Sequence, residues 1–483
     1  MSRARSAGGR WIFSALVAAC LGACAEKTAA PIPPDITQTE GSDSPDVPDS
    51  DDTAAALPGA LSTVPIGSAL CVAGVPGGGE RQTIGIARLQ EAGVSRVRMD
   101  LRWSIVEPVQ GEFLLEKLET RIGPYLEAGI DVQGILAYGV PWASSLTEED
   151  AYYPPDDPAD FANYVDAVTT WFRGRMTDYE IWNEPNAGYR FWKTEALGDP
   201  VAFGTLLIAA VTAGRQACPE CRFAFGGPFF HSQLINGHIP FLTDVQAAHP
   251  DLSEHYDAMG FHPYPMYPPQ AAPEGPPPGS EWAFSEMVAG VREVMALQGA
   301  GDRALWTTEV GWPVYGAVDA ERQAAFLVRA YLHLVALQAT PVCWYDLFEG
   351  PDPEAFPPEG AFGLLTRGDL EAGDPPTPKP AYQALSQLGN RFADYSLVQD
   401  LRQAGRLPEG VYGYALANAG SSERWWVLWR YPETEPLSVV LPADVLELRD
   451  MQGVSLPLRA DSAGWRVDAH PRFFRMDTIE TSP

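Results

Sequence analysis

Arg96-Val97-Arg98-Met99-Asp100-Leu101-Arg102 is the stretch that decides the fold. Charged and apolar side chains alternate along it, which is the period of an extended strand. It is one of a series. Ala69–Ala73, Asp131–Ala137, Asp178–Trp182, Arg222–Gly226, Ala258–Phe261, Ala304–Thr308 and Pro341–Trp344 are short apolar runs of the same length class. Amphipathic stretches separate them, among them Arg88–Ala92, Phe161–Arg173, Phe203–Ala217, Trp282–Gln298 and Glu321–Gln338. Strands that alternate with helices at ~40-residue spacing predict an α/β chain folded as a (β/α)8 TIM barrel. In such a barrel one side of each strand packs on helices and the other fills the lumen. Arg98, Asp100 and Arg102 share a parity, so they belong to the lumen or to its C-terminal rim, where barrel active sites lie. The rival doubly wound sheet lacks its Gly-rich loop, because Gly77-Gly78-Gly79 does not have the GxGxxG spacing.

The texture changes after about Phe392. Gly413–Ala417, Trp425–Tyr431, Leu437–Leu441, Leu446–Asp450, Arg466–Ala469 and Arg472–Met476 are short runs separated by Gly, Pro, Asn and Ser. They predict a small all-β sandwich over residues 393–483, after a barrel over 62–392. Trp425, Trp426 and Trp429 suggest a carbohydrate surface. However, Trp426 and Trp429 have opposite strand parity, so core and interface roles are favoured.

The first 24 residues have another character. Arg3, Arg5 and Arg10 precede an apolar run from Trp11 to Ala19, followed by Leu21-Gly22-Ala23-Cys24. Charge, run length and small residues predict a signal peptide. Leu21–Cys24 resembles the bacterial lipobox, which implies lipidation of Cys24, and Val17–Cys20 is a competing match. From residue 25 to 61 the chain is rich in Pro, Ser, Thr and acid. Glu26, Asp35, Glu40, Asp43, Asp46, Asp49, Asp51 and Asp52 face only Lys27. Such a segment buries too little apolar area to offset its ordering entropy, so an extended linker is expected. The net charge of −30 disfavours nucleic acid, whose binding needs Lys and Arg on phosphates. It also disfavours strongly acidic polysaccharides. An exported, envelope-anchored monomer is the expectation. Cys218-Pro219-Glu220-Cys221 has no second CxxC to complete a zinc site, so a disulfide or inert thiols are favoured. Cys71 and Cys343 lie in apolar runs and read as buried free thiols.

The chemistry centres on two carboxylates. Glu184 lies in Trp182-Asn183-Glu184-Pro185-Asn186, and Glu309 in Trp306-Thr307-Thr308-Glu309-Val310-Gly311-Trp312. Each ends an apolar run and is flanked by aromatics. Paired carboxylates in an aromatic cleft suit cleavage of a glycosidic bond, one protonating the leaving oxygen while the other attacks or activates water. No cofactor is called for. The seven histidines are scattered with no HExxH, which disfavours a metal-dependent hydrolase. The remaining rival is a non-catalytic glycan-binding lipoprotein on the same scaffold.

Tyr179–Asn186 and Trp306–Glu309 resemble the fourth- and seventh-strand signatures of the clan A glycoside hydrolases. Val97-Arg98-Met99 with Trp103, Glu107-Pro108 and Gly111 resembles the second strand and its loop. Phe261-His262-Pro263-Tyr264 resembles the sixth strand, and Trp344-Tyr345-Asp346 the eighth. Phe362–Leu365 and Lys379–Tyr382 resemble the closing segment. Family 39 is the nearest resemblance, with family 5 the competitor. The resemblance implies a retaining mechanism, with Glu184 as acid/base and Glu309 as nucleophile. In that scheme Arg98 keeps Glu309 ionised, Asn183 binds the sugar 2-hydroxyl, Tyr264 orients Glu309, and His262 binds substrate or supports Glu184. A lumen pair of Arg98 with Asp100 is the plainer reading, with Arg102 then the site arginine. Trp344 is the expected sugar platform by position, with Trp142 next. Tyr138 and Trp312 are further candidates, and Asp346 and Glu349 can bind hydroxyls. The Pro-rich loop Pro263–Pro278 either walls the cleft or is a solvated insertion.

Overall fold

The structure is a computed structural model. It describes residues 61, 64–146, 151–188, 190–194, 198–229, 238–264, 271–275, 283–352 and 359–477. The expected signal, Cys24 and the acidic linker up to residue 60 lie outside these residues, as do residues 265–270 and 276–278 of the Pro-rich loop.

Eight parallel strands close a barrel in sequence order. They are β1 (Leu70–Ala73), β2 (Arg96–Arg102), β3 (Asp131–Ala137), β4 (Asp178–Ile181), β5 (Arg222–Phe225), β6 (Ala258–Phe261), β7 (Ala304–Val310) and β8 (Val342–Trp344). Each is followed by a helix: α1 (Gly79–Glu91), α2 (Leu115–Glu127), α3 (Pro158–Phe172), α4 (Pro200–Ala217), α5 (His238–Ala248), α6 (Phe284–Leu297), α7 (Ala320–Ala336) and α8 (Pro380–Asn390). The helix starts are written locally. Asp157 and Asp199 accept from the first free backbone N–H groups of α3 and α4, each with Pro at the first helical position, and Asp319 does the same for α7.

The parity of β2 holds in three dimensions. Val97, Met99 and Leu101 are buried in the main core between strands and helices. Arg98 is buried on the opposite side. At the seam β1 pairs with β8, with Cys71 opposite Cys343 in the register. These two cysteines form a disulfide, as do Cys218 and Cys221. The expectation of free thiols at Cys71 and Cys343 is therefore corrected. They are remote in sequence, and only closure of the barrel makes their strands neighbours.

Beyond α8 the chain forms a five-stranded antiparallel sheet in the order β13–β15–β11–β10–β9 and a two-stranded ladder, β12–β14. These strands are β9 (Tyr395–Asp400), β10 (Val411–Asn418), β11 (Arg424–Arg430), β12 (Leu437–Val439), β13 (Val445–Arg449), β14 (Trp465–Val467) and β15 (Arg472–Met476). Strand β9 was not expected; only the four-residue turn 391–394 separates it from α8. Trp425 and Trp429 pack into the same core as the barrel, while Trp426 joins a separate cluster with Val439 and Val467. The three tryptophans thus fill two interiors, as their parity required. Among the described residues no helix is long and apolar enough to cross a membrane.

Candidate active site

Arg98 is the hub. Its Nε and Nη2 donate to the two oxygens of Glu180 at 2.7 and 3.0 Å, its Nη1 donates to Glu309 at 2.5 Å, and Nη2 also reaches Asn183 Oδ1 at 2.9 Å. The alternative reading, a lumen pair of Arg98 with Asp100, is corrected: Arg98 pairs with Glu180 and reaches Glu309. Asp100 instead accepts from Arg102 at 3.3 Å, nearer the rim. Glu180 is fully buried. It also accepts from the Gly227 N–H at 2.8 Å and the Thr308 hydroxyl at 3.2 Å. A planar, permanently charged fork suits this shared duty better than an ammonium would.

Glu309 is in the last turn of pleat in β7, and its Oε2 accepts from the Tyr264 hydroxyl at 3.0 Å. Glu184 lies three residues beyond β4, with His262 Nδ1 2.8 Å from its Oε1. His262 Nε2 lies 3.0 Å from the Thr308 hydroxyl. Trp182 and Glu184 both have positive φ, 68° and 45°, which non-glycine residues adopt at a cost. The surroundings hold that turn in place. Trp182 is buried and donates from Nε1 to Phe191 O, and the Glu184 N–H donates to Gly227 O. A Cβ at Gly227 would come within 2.6 Å of both the His262 ring and the Thr308 hydroxyl, so only glycine fits beneath the pair.

The donor atoms of Glu184, His262 and Glu309 lie within 4.8 Å of one another. That is the separation class of retaining glycosidases, about 5–5.5 Å, and not the about 6.5–9.5 Å of inverting ones. The charges are split. Burial pushes the Glu184 carboxyl above its ordinary value; contact with His262 pulls the other way, and the Glu309 charge adds to the rise. Burial acts on Glu309 too, but His262, Arg98 and the Tyr264 hydrogen bond outweigh it and hold the group below its ordinary value. The two carboxyls are thus pushed in opposite directions, Glu184 toward its protonated form and Glu309 toward its ionised one. A metal ion could use the same spacing, but the guanidinium already on Glu309 would repel it.

The aromatic candidates fare unequally. Trp344 is fully buried and stacked on Trp312 at 5.9 Å, so it offers no face to a sugar, and its expected role as platform is corrected. Strand β8 ends at Trp344, and the half-buried Tyr345 follows, its ring 5.5 Å from Phe362 and its phenol within the field of Glu309. Trp312 is buried and donates to Ala271 O at 2.8 Å. Tyr138 is buried among Tyr152, Trp182 and Phe191, with Arg102 over its ring. Trp142 stays half-buried, its Nε1 donating to Glu107 O at 2.8 Å. Glu107 also accepts from Trp103 Nε1 and the Gly111 N–H, both at 2.7 Å, which accounts for the spacing of that motif. Glu349 is paired with Lys379 at 2.7 Å. Asp346 keeps a buried oxygen with no partner, and burial pushes its carboxyl well above the ordinary range.

No family model matches the sequence, and no curated protein is similar to it. The fold, in contrast, has solved counterparts. A family 39 glycoside hydrolase from the gut symbiont Bacteroides cellulosilyticus superposes with a TM-score of 0.68 at 23% identity, covering 86% of this chain and 81% of that one. This chain shares its fold with glycoside hydrolases. A monomeric beta-xylosidase from Caulobacter crescentus gives a TM-score of 0.60 at 16% identity, over 88% and 98% of the two chains. A family 51 alpha-L-arabinofuranosidase from Bifidobacterium longum gives 0.55 at 11%, over 86% and 97%.

Sequence reasoning missed Glu180, Thr308, Gly227 and Tyr345. Glu180 and Thr308 stood inside quoted motifs, and their lumen parity was the available signal. Nothing in sequence distinguishes Tyr345 from Trp344, because a strand's final residue is where parity stops being a guide.

Proposed function

We propose that the chain is a retaining glycoside hydrolase acting on β-linked oligo- or polysaccharide. The observation that carries this reading is the close carboxyl pair with opposed charge preferences. In the first step a Glu309 oxygen attacks C1 of the sugar while Glu184 gives its proton to the departing glycosidic oxygen. The C1–O bond breaks and a glycosyl ester to Glu309 forms. In the second step Glu184, now a carboxylate, takes a proton from water as that water attacks C1 and releases Glu309. Asn183 gives its carbonyl to Arg98, leaving its NH2 to donate to the sugar 2-hydroxyl. Tyr345 and Trp142 are the aromatic faces for the ring.

The same reading places the enzyme outside the cytoplasm, tethered through a lipid on Cys24 and the acidic linker. Two disulfides support export, since such bonds persist in oxidising compartments. Mass spectrometry of the mature N-terminus tests the anchor, and an unlipidated soluble product would remove it. For the chemistry, a panel of nitrophenyl glycosides and polysaccharides is hydrolysed and the product anomer followed by NMR. Retention is expected, with Glu184→Gln and Glu309→Ala each losing at least about 10²-fold in kcat/KM. Inversion, or full activity in both variants, would overturn the mechanism. Oligosaccharide binding without cleavage anywhere on the panel would make the chain a glycan-binding protein instead.

A further inference from the structure

The segment Ala271–Gly275 leaves the catalytic sixth strand's loop and ends against the C-terminal sheet. Its Glu274 is buried yet charged, and four donors converge on it from two directions. From α7, Arg329 donates to Oε1 from Nε at 3.1 Å and to Oε2 from Nη2, while His333 Nε2 lies 3.0 Å from Oε1. From β11, Trp429 Nε1 donates to Oε1 at 2.7 Å. One residue on, Gly275 O accepts from the Tyr431 hydroxyl at 2.7 Å. Arg329 is sandwiched further, with Glu433 at 2.9 Å and the Tyr431 ring 5.2 Å from its guanidinium carbon. His333 also meets the Tyr414 hydroxyl at 2.8 Å.

The other end of the segment touches the site. Ala271 O accepts the Trp312 indole N–H, and Gln323 of α7 donates to Trp312 O at 2.7 Å. Trp312 is three residues after Glu309 on the chain leaving β7. A continuous described path therefore runs from Trp429 and Tyr431 through Glu274 and Ala271 to Trp312 and Glu309.

We propose that the C-terminal β domain is a positioning element of the active site: Trp429 and Tyr431 hold the 271–275 segment, which through Trp312 sets where Glu309 stands against Arg98 and Tyr264. This role rests on the hydrolase reading for its effect on turnover. It contrasts with an independent carbohydrate-binding domain, whose aromatics would face solvent; Trp425, Trp426 and Trp429 are all buried. A buried charge held by several donors suits such a joint, because slippage leaves a donor or the carboxylate unsatisfied and the joint has one good geometry.

The test uses the full chain with Tyr431→Phe, which deletes one donor and keeps the ring, and Trp429→Phe, which deletes one donor and puts a smaller phenyl in place of the indole; Tyr431→Phe should change kcat/KM in the same direction as Trp429→Phe. Trp429→Phe is expected to lower kcat/KM about tenfold at temperatures well below melting. It should also move the acid limb of the pH profile upward, since Glu309 loses fit with Arg98 and the Tyr264 hydroxyl. Trp312→Phe should have a similar effect, and the double variant Trp312→Phe/Trp429→Phe should be little worse than either single one, because both cut the same path. Hydrogen exchange of peptides covering 304–312 is read alongside and should quicken in Trp429→Phe. A variant that melts earlier but keeps its acid limb, its kcat/KM and its exchange in 304–312 overturns the proposal. So does full multiplication of the two single effects. If wild type hydrolyses nothing on the panel, the hydrolase reading fails, while the exchange result still decides whether the C-terminal domain controls the 304–312 strand.

Discussion

Replacing Tyr264 by Phe isolates one contribution to the charge split in the carboxyl pair. The variant deletes a hydroxyl that donates to Glu309 Oε2 at 3.0 Å and leaves the ring against Phe229 and Phe362. A hydrogen bond to an ionised group is worth about 1.5–3 kcal/mol. At about 1.36 kcal/mol per pKa unit, its complete loss would raise the Glu309 pKa by roughly 1–2 units. The Glu309 side chain is 15% exposed, so water can take part of the vacated role and the lower end, about one unit, is expected. The sign follows from the contact. Tyr264 stabilises the carboxylate, so losing it makes Glu309 easier to protonate, and activity dies at a higher pH on the acid side. On the proposed mechanism the alkaline limb belongs to Glu184, which must hold its proton. The deleted hydroxyl donates to Glu309, so the alkaline limb should hold. The assay is kcat/KM against pH on an aryl glycoside that wild type cleaves. An unmoved acid limb, or a shift of the alkaline limb alone, would refute the assignment of the two carboxyls.

Three further outcomes are expected. Cys71→Ala/Cys343→Ala opens the staple across the β1–β8 seam and should cost about 3–5 kcal/mol of stability, read by denaturant unfolding, since it closes a 272-residue separation; an unchanged midpoint would show the seam is held by packing alone. Glu274, though burial opposes it, is held below the ordinary glutamate range by Arg329 and His333, so its stabilisation is complete above pH about 4.3 and fades as pH falls below that. Glu274→Gln should therefore flatten the acid side of the melting-temperature profile, and an equally steep fall in the variant would count against the ion network. Tyr345→Ala should raise KM several-fold or more on an oligosaccharide while Trp344→Phe acts mainly on stability, and the reverse pattern would restore Trp344 as the platform.

The sequence by itself determined the barrel, its strand order and the placing of both carboxylates, because each of these is a local signal. Strand parity, helix caps and the residues that end a strand are written within a few positions of one another, as β2 and the Asp157, Asp199 and Asp319 caps show. The contacts of Arg98 were half legible: its lumen parity could be read, but Glu180 as its partner could not, since residues on β2 and β4 share a lumen only once curvature is set. The same reason hid the Cys71–Cys343 bond, the clamp on Glu274 and the exchange of Trp344 for Tyr345 at the rim. Each depends on which strands close the ring and how far each side chain stands from the axis. Those are global distances, and they come into being only when the whole chain has packed.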